Sequence, residues 1–441
     1  MKNNQTETRG YRGRILHFLD EPGTAAPEPG SYQFFEDGLL IVDQDRILAV
    51  GHASGLLPSL PAGATVEHWP EALIVPGFID THVHLPQLQV IASFGSQLLD
   101  WLETYTYPAE ARFADAAWAS SQAEVFVDMM LAHGTTSALV FATSHATSVN
   151  ALFTVAAARR MAIATGKVMM DRNAPQALCD LASGSCQASQ ALIDRWHGKD
   201  RLRYAVTPRF AITSSPEQLS LAGKLVAENP GVLMQTHWAE NHAEIDFACE
   251  LYPERKDYLD VYEHYGLLGE RSVLAHGVHI NEHDRHRLNR SGSRIAFCPT
   301  SNTFLGSGLF DFEAARGAGV NVGLATDVGA GTSLSMLATM AEAYKVCQLQ
   351  GQTLSPFQAF YLSTLGNARV LHQDADSGNF EPGKYADFVV LDPSATPMLR
   401  LKQHPRPKLA DILFDLMILG DDRCIKQTYV AGQCQFDRAT T

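Results

Sequence analysis

The chain has 441 residues, of which 46% are hydrophobic, and its formal net charge is −14 because 48 acidic residues outnumber 34 basic ones. Phosphate binding depends on an excess of Lys and Arg, so this charge argues against a nucleic-acid partner and for a small ligand that is not strongly anionic. No apolar run approaches the ~20 residues that span a bilayer, and the apolar residues 15–19 are too few for the core of a signal sequence. We therefore expect a cytoplasmic protein without a membrane partner. Seven cysteines in no C-x-x-C pair predict reduced thiols.

The two ends of the chain share a pattern of short strand-like runs separated by turns. Strand-like runs occur at residues 38–42, 46–50, 384–391 and 427–435. Gly and Pro are frequent around the first two runs, and helical periodicity is absent there. We therefore expect residues 1–74 and 379–441 to build one small β domain from both chain ends, with residues 75–378 inserted between them as a larger domain.

The middle of the chain alternates apolar strand-like runs with helical patterns. The eight candidate strands are residues 78–84, 136–141, 166–170, 203–208, 232–237, 272–276, 294–299 and 320–327. Helical patterns fill the gaps, as at residues 115–133 and 217–228, where Ser215 and Pro216 supply cap and first-turn chemistry. This rhythm predicts an α/β protein with a (β/α)₈ TIM-like barrel.

Metal-competent residues stand at the ends of four of these strands. His82 and His84 are two residues apart, and therefore on one face of the first strand, while His237, His276 and Asp327 close the fifth, sixth and eighth. The carboxyl ends of barrel strands meet at the active-site face, so the fold would bring these residues together. Three neutral imidazoles and one carboxylate, with water in an open position, suit one catalytic Zn²⁺ or Fe²⁺ per chain. Four ligands are available without His276, which we expect to hydrogen-bond the hydroxide on the metal.

Glu240 follows His237 by three residues, just past the strand end. A carboxylate beside the metal could take a proton from water and deliver it to a substrate nitrogen and then to the leaving group, which is general acid-base catalysis. The alternative is a surface glutamate in a loop that also holds Glu244 and Asp246. Its position relative to a metal ligand favours the catalytic interpretation.

Three further residues are candidates for substrate binding. Gln87 follows the histidine pair, and Arg209 and Phe210 follow the fourth strand. A primary amide presents a donor and an acceptor side by side, which suits the N–H/C=O edge of an oxopurine. A guanidinium binds ring acceptors, and a phenyl ring packs on a heterocycle, although Phe210 could equally be an ordinary core residue.

Motifs along nearly the whole chain resemble those of the guanine deaminases of the amidohydrolase superfamily. They are P-G-F-I-D-T-H-V-H at 76–84, L-L-D-W-L-E-T-Y-T-Y-P-A-E at 98–110, H-G-T-T at 133–136, V-T-P-R-F at 206–210, L-A-H-G at 274–277, F-C-P-T-S-N at 297–302 and A-T-D-V-G-A-G at 325–331. The resemblance implies a zinc-dependent aminohydrolase of purine catabolism or salvage, in which a metal-bound hydroxide converts guanine to xanthine and ammonia. It also implies a homodimer.

The same resemblance implies a role for each site residue. His82, His84, His237 and Asp327 would hold one zinc ion, with Fe²⁺ as the other metal that suits the set. The catalytic residues would be Glu240, His276 and Asp327. The substrate would contact Gln87, Arg209, Phe210, His84, His237, Glu240 and Asp327.

Three other functions compete with this one. Another aminohydrolase of the superfamily would act on an adenine-like, pterin or triazine ring, but a 6-amino ring offers no carbonyl opposite Gln87. A two-metal, hydantoinase-like amide hydrolase would need a carboxylated lysine on the fourth strand, which has none, and we expect Lys167 near the start of the third strand. A catalytically inactive scaffold would have lost metal ligands, whereas this chain keeps every candidate.

Overall fold

The strands of the chain form two separate sheets. The structure is a computed structural model that describes residues 8–23, 27–95, 97–405 and 407–440. In chain order the strands are β1 (Thr8–Phe18), β2 (Tyr32–Asp43), β3 (Arg46–His52), β4 (Thr65–Pro76), β5 (Phe78–His84), β6 (Thr135–Phe141), β7 (Ala162–Gly166), β8 (Val168–Met169), β9 (Arg203–Pro208), β10 (Leu233–Trp238), β11 (Ser272–His276), β12 (Arg294–Phe297), β13 (Val322–Leu324), β14 (Phe388–Leu391), β15 (Ile425–Val430) and β16 (Gln433–Asp437).

The helices lie mainly between the barrel strands. They are α1 (Ala53–Leu56), α2 (Leu98–Trp101), α3 (Tyr107–Ala111), α4 (Ala116–Ala132), α5 (Ala146–Ala158), α6 (Ala182–Trp196), α7 (Pro216–Glu228), α8 (His242–Leu251), α9 (Tyr258–His264), α10 (Glu282–Ser291), α11 (Pro299–Phe304), α12 (Phe312–Gly317), α13 (Met336–Leu349), α14 (Pro356–Tyr361), α15 (Asn367–Val370), α16 (Pro397–Lys402) and α17 (Leu409–Leu419). Ser215 caps α7 by accepting a backbone N–H group, as predicted, and Asp115, which was expected inside the helix, caps α4 in the same way. Among the described residues no helix is both long and apolar enough to cross a membrane.

The predicted (β/α)₈ barrel is confirmed. Parallel strands pair in the order β5, β6, β7, β9, β10, β11, β12, β13, and the short β8 pairs with β9. The last strand meets the first through Thr81 Oγ1, which donates to Leu324 O at 3.0 Å, and through Asp327 N, which donates to His82 O at 2.9 Å. Every residue of β5 and β6 is buried, as expected for parallel strands covered by helices.

The chain ends pair into one sheet, as predicted. Its order is β16-β15-β14-β4-β1-β2-β3, so strands from the C-terminal part lie beside strands from the N-terminal part. The junction is the antiparallel pair of β14 and β4, where Val389 lies opposite Val75. An aromatic cluster fills the core of this sheet, with the Phe388 ring centroid 4.8 Å from that of Tyr11 and 4.3 Å from that of Tyr429. The domain boundaries at residues 74 and 378 stay predictions.

The third barrel strand differs from its prediction. It begins at Ala162 rather than at Gly166, and it is interrupted after Gly166, where a Cβ atom would lie 1.7 Å from Ala205 O of the neighbouring strand. Lys167 therefore lies near the carboxyl end of the strand and not near its start. Its Nζ donates to Asp180 and, at 3.1 Å, to Ser185 Oγ of α6, so it serves an ion pair on the helix side of the barrel.

Other differences lie in the terminal sheet. The run at 427–435 is a hairpin of β15 and β16, because the chain turns at Ala431 and Gly432, both with positive φ. Strand β1 was not predicted, since basic residues interrupt its apolar pattern. The structure pairs two of these charges with carboxylates: Arg12, at the sheet surface, pairs with Asp37 at 2.7 Å, and the buried Arg14 pairs with the exposed Glu71 at 2.9 Å.

Candidate active site

Imidazoles from two strands and one carboxylate converge at the carboxyl end of the barrel. His84 Nε2 lies 3.2 Å from His82 Nε2 and 3.2 Å from His237 Nε2. Asp327 Oδ1 lies 3.1 Å from the Nε2 atoms of both His82 and His84. These contacts join β5, β10 and the segment after β13, so residues distant in the sequence form one buried cluster.

His276 extends this cluster from the end of β11. Its Nδ1 donates to Asn302 Oδ1 at 2.9 Å, which leaves the Nε2 lone pair directed into the site, where it has no hydrogen-bond partner. That Nε2 lies 3.8 Å from Asp327 Oδ2. The ligand atoms of His82, His237, His276 and Asp327 all lie within 4.8 Å of one another. This set of four and the predicted set differ only in whether His276 or His84 is the third imidazole.

The donor set fits a divalent metal ion. His237 Nδ1 donates to Arg209 O at 2.8 Å, so its Nε2 carries a lone pair that faces His84 Nε2. Ligand atoms about 2.1 Å from one tetrahedral ion lie roughly 3.4 Å apart, close to the separations seen here. Burial, opposed by the Asp327 carboxylate, lowers the pKa of His84 to about 3, and burial with neighbouring imidazoles lowers the pKa of His237 well below its ordinary value. Both rings are therefore neutral, as metal ligands must be.

The backbone is strained at two residues of this cluster, His276 and Asp327. His276 has a φ of 74° and Asp327 a φ of 50°, in the left-handed region that residues other than glycine seldom adopt. Such conformations cost on the order of 1–3 kcal/mol each and persist where the surrounding structure enforces them. At Asp327 this enforcement includes the backbone bond to His82 O and a 2.6 Å bond from Gly331 N to Asp327 O.

Glu240 stands beside His276 with its carboxylate inside the site. One oxygen, Oε2, lies 3.3 Å from His276 Nε2, and the other, Oε1, accepts a hydrogen bond from Ser307 Oγ at 2.9 Å. Burial and the nearby Asp327 carboxylate raise the pKa of Glu240 to about 8, although the Ser307 bond opposes this shift. Glu244 Oε2 accepts from the Glu240 backbone N–H at 2.8 Å and so holds the loop in place.

A cavity of about 400 Å³ opens above the cluster. Gln87, Arg209 and Phe210 line one side of it. Leu98 and Trp101 of α2 and the following Leu102 contribute an apolar wall. Apolar walls with a few directed polar groups are typical of small-molecule sites.

The buried carboxylate of Glu110, on α3, connects two of the residues along that side. Arg209 Nη1 donates to Glu110 Oε1 at 2.8 Å and to Oε2 at 2.9 Å, and Gln87 Nε2 donates to Oε1 at 3.3 Å. Burial opposes the charge on Arg209, but Glu110 more than offsets this and raises the pKa of the guanidinium.

Comparison with known proteins supports the family suggested by the motifs. The profile of the amidohydrolase family matches residues 73–434. The guanine deaminase of Escherichia coli (strain K12) is 48% identical over 441 residues, which cover 99% of this chain and 100% of that protein. The chain belongs to the amidohydrolase family, among its guanine deaminases.

Solved structures support the same family assignment. The structure of E. coli guanine deaminase superposes with a TM-score of 0.94 at 47% identity and covers 98% of this chain and 100% of that one. The structure of guanine deaminase from C. acetobutylicum, with guanine bound in its active site, superposes with a TM-score of 0.87 at 27% identity, covering 97% of this chain and 100% of that one.

The structure brings all nine predicted site residues of this amidohydrolase into one region. Eight of them line the cavity: His84, Gln87, Arg209, Phe210, His237, Glu240, His276 and Asp327. The ninth, His82, lies beneath them against Asp327. The individual roles assigned from the sequence stay predictions.

Sequence reasoning missed three residues that hold this site together. Glu110 and Asn302 both lie inside motifs shared with the guanine deaminases, so those motifs were the available signal. Ser307 lies in none of the motifs, and only the structure places its hydroxyl against Glu240. Behind it, His279 Nε2 donates to Ser307 O at 2.8 Å, which gives this histidine a structural role.

Proposed function

We propose that this chain hydrolyses guanine to xanthine and ammonia. The observation that carries the proposal is the position of Glu240, 3.3 Å from His276 in the same cavity whose other side presents Gln87 and Arg209. A proton-transfer group thus faces the groups that suit an oxopurine edge. The relative from C. acetobutylicum, which holds guanine in its active site, supports the same substrate.

The reaction requires two protons to move between water and the ring. The oxygen of water adds to C2, one of its protons goes to N3, and the second goes to the 2-amino group, which leaves as ammonia. Glu240 is placed to carry both protons, because Ser307 holds Oε1 and leaves Oε2 toward His276 and the cavity. His276 can accept a hydrogen bond from the attacking oxygen at Nε2, since Asn302 occupies its Nδ1 proton.

We propose that one Zn²⁺ ion per chain is held by His82, His84, His237 and Asp327, with Fe²⁺ as the alternative. When bound, such an ion lowers the pKa of a water molecule toward ~7 and so supplies the nucleophile at neutral pH. The convergence of the Nε2 atoms on Asp327 Oδ1 supports this set, whereas the separation of His276 Nε2 from Asp327 Oδ2, 3.8 Å, supports its role beside the metal. The homodimer and the cytoplasmic location stay predictions.

The deciding experiment measures ammonia release from guanine, adenine, cytosine, pterin and melamine together with the metal content of the same sample. We expect turnover largely confined to guanine, with xanthine as product and about one metal ion per chain. Turnover of another ring would reassign the cavity, and a protein with neither metal nor activity would be a scaffold.

A further inference from the structure

Gln87 is held between a group that only accepts hydrogen bonds and a group that only donates them. Its Nε2 donates to Glu110 Oε1 at 3.3 Å, and its Oε1 accepts from the Gly329 backbone N–H at 3.1 Å. A carboxylate has no proton to give and a backbone N–H cannot accept, so these two partners permit one orientation of the side-chain amide. The Nε2 end lies on the side of Glu110 and Arg209, and the Oε1 end lies on the side of Gly329.

Gly329 also ties this amide to the metal-competent cluster. It follows Asp327 by two residues, and the intervening Val328 O accepts the His84 backbone N–H at 2.8 Å. A Cβ atom at Gly329 would lie 2.3 Å from Gln87 O, so only glycine allows this close approach. The Oε1 end of the amide therefore lies on the same side as Asp327.

The hydrogen-bonding groups along the edge of guanine follow a fixed order, which an amide of fixed orientation can distinguish. Going around the ring, the acceptor O6 is followed by the donor N1–H and then by C2, the carbon that loses its amino group. An amide pairs with this edge by donating from Nε2 to O6 and accepting from N1–H at Oε1. This pairing puts C2 on the Oε1 side, toward Asp327. The opposite orientation of the amide would turn C2 away from it.

We infer that Glu110, by fixing the orientation of the Gln87 amide, determines which end of the oxopurine edge faces the metal-competent cluster. Glu110 is thus a positioning residue that also sets specificity, and this role rests on the proposed function. Its two bonds to Arg209 Nη1 hold that guanidinium in the same arrangement. Arg209 and the second Nε2 proton of Gln87 then present only donors, which match a 6-oxo group and oppose a 6-amino group.

The test compares two substrates that share the same leaving group. Guanine and 2,6-diaminopurine both carry the 2-amino group, but diaminopurine has a donor at position 6 and an acceptor at N1, the reverse polarity. In Glu110→Gln the new amide can donate to Gln87 Oε1 as well as accept from Nε2, so only the Gly329 N–H still favours the original orientation of the Gln87 amide. For the metal-loaded full chain we expect kcat/KM for guanine to fall by about 100-fold and its ratio to kcat/KM for diaminopurine to fall at least about 10-fold.

Two further variants separate this role from a loss of structure. Glu110→Asp keeps an acceptor-only group, so we expect the substrate ratio to stay near that of the wild type even if the rate falls. The exchange E110Q/Q87E keeps one carboxylate beside Arg209 and should fold if Glu110→Gln does not. The residue at 87 then only accepts hydrogen bonds, so it suits N1–H but not O6 of guanine, and the 6-amino group but not N1 of diaminopurine. We therefore expect the preference for guanine over diaminopurine to fall toward equality in this variant.

A matched control removes a buried carboxylate from an arginine elsewhere in the molecule. Arg201 Nη1 donates to Asp387 Oδ1 at 2.9 Å outside the cavity, so Asp387→Asn should leave the substrate ratio unchanged. Equal losses for both substrates in Glu110→Gln, or an unchanged preference in the exchange variant, would overturn the inference while the proposed function stands. A wild type that releases no ammonia from guanine would overturn both.

Discussion

Two buried arginine–carboxylate pairs lie at opposite ends of β9 and have different consequences. Arg201, before the strand, pairs with Asp387, which also accepts the Ala431 backbone N–H at 2.8 Å. Arg209, directly after the strand, pairs with Glu110 and lines the cavity. The first pair joins the barrel to the terminal sheet, whereas the second lies in the cavity, where we propose that its remaining donors bind the substrate. On this proposal, the same kind of ion pair stabilises the fold at one end of a barrel strand and binds a ligand at the other, because the loops at the carboxyl ends of the strands build the active site.

The largest effect on turnover should come from Asp327→Ala, in the cavity at the carboxyl end of the barrel. Asp327 contacts both His82 and His84, so its loss should remove the metal and reduce activity by more than the ~10–100-fold that an outer partner of a metal site costs. Metal analysis and an ammonia assay on one preparation check this, with Asp387→Ala as the carboxylate control. Full metal content with full activity would remove Asp327 from the site.

Glu240→Gln should separate catalysis from binding within the same cavity. The amide keeps the size of the side chain but cannot carry the protons, so turnover should fall by ~10²-fold or more, as for a lost acid-base group. Metal content and guanine affinity should stay close to wild type, as measured by metal analysis and equilibrium binding. A near-native rate would exclude Glu240 from proton transfer.

Ser307→Ala should have a smaller effect, because it changes only the support of Glu240. Loss of the 2.9 Å hydrogen bond to Oε1 frees the carboxylate to turn, and one such bond is worth about 3- to 10-fold in rate. We expect this loss in kcat with little change in KM. The control is Ser363→Ala, which removes another buried serine hydroxyl, one that donates to Ala359 O at 3.1 Å. Equal losses in the two variants would exclude a positioning role for Ser307.

Asp387→Asn should leave turnover unchanged and act on stability alone. Removing one partner of a buried ion pair leaves the charge of Arg201 uncompensated and destabilises by about 3–5 kcal/mol. Denaturant unfolding of the metal-loaded protein, compared with wild type, measures this difference. A change in kcat/KM for guanine without a loss of stability would show that the two ends of β9 are not independent.

The barrel and the metal-competent residues could be predicted from the sequence because both depend on local patterns. Apolar runs alternate with helical patterns through the middle of the chain, and the special residues stand at the strand ends, as His84 and His276 do. Once eight strands are in place, the geometry of a barrel brings their ends together. The placement of His237 and Asp327 beside His84 therefore followed from the strand pattern alone.

Only the tertiary structure decided how these groups are oriented. Glu110 lies on α3, in the segment between β5 and α4, whose path is not specified by any periodic pattern in the sequence. Ser307 lies in a loop after α11. Their partners are 99 and 67 residues away in the sequence, at Arg209 and Glu240. Hydrogen bonds of this kind depend on packing to within a few tenths of an ångström. Patterns of residue type determine which elements form, whereas the directions of individual donors and acceptors depend on contacts that exist only in the folded chain.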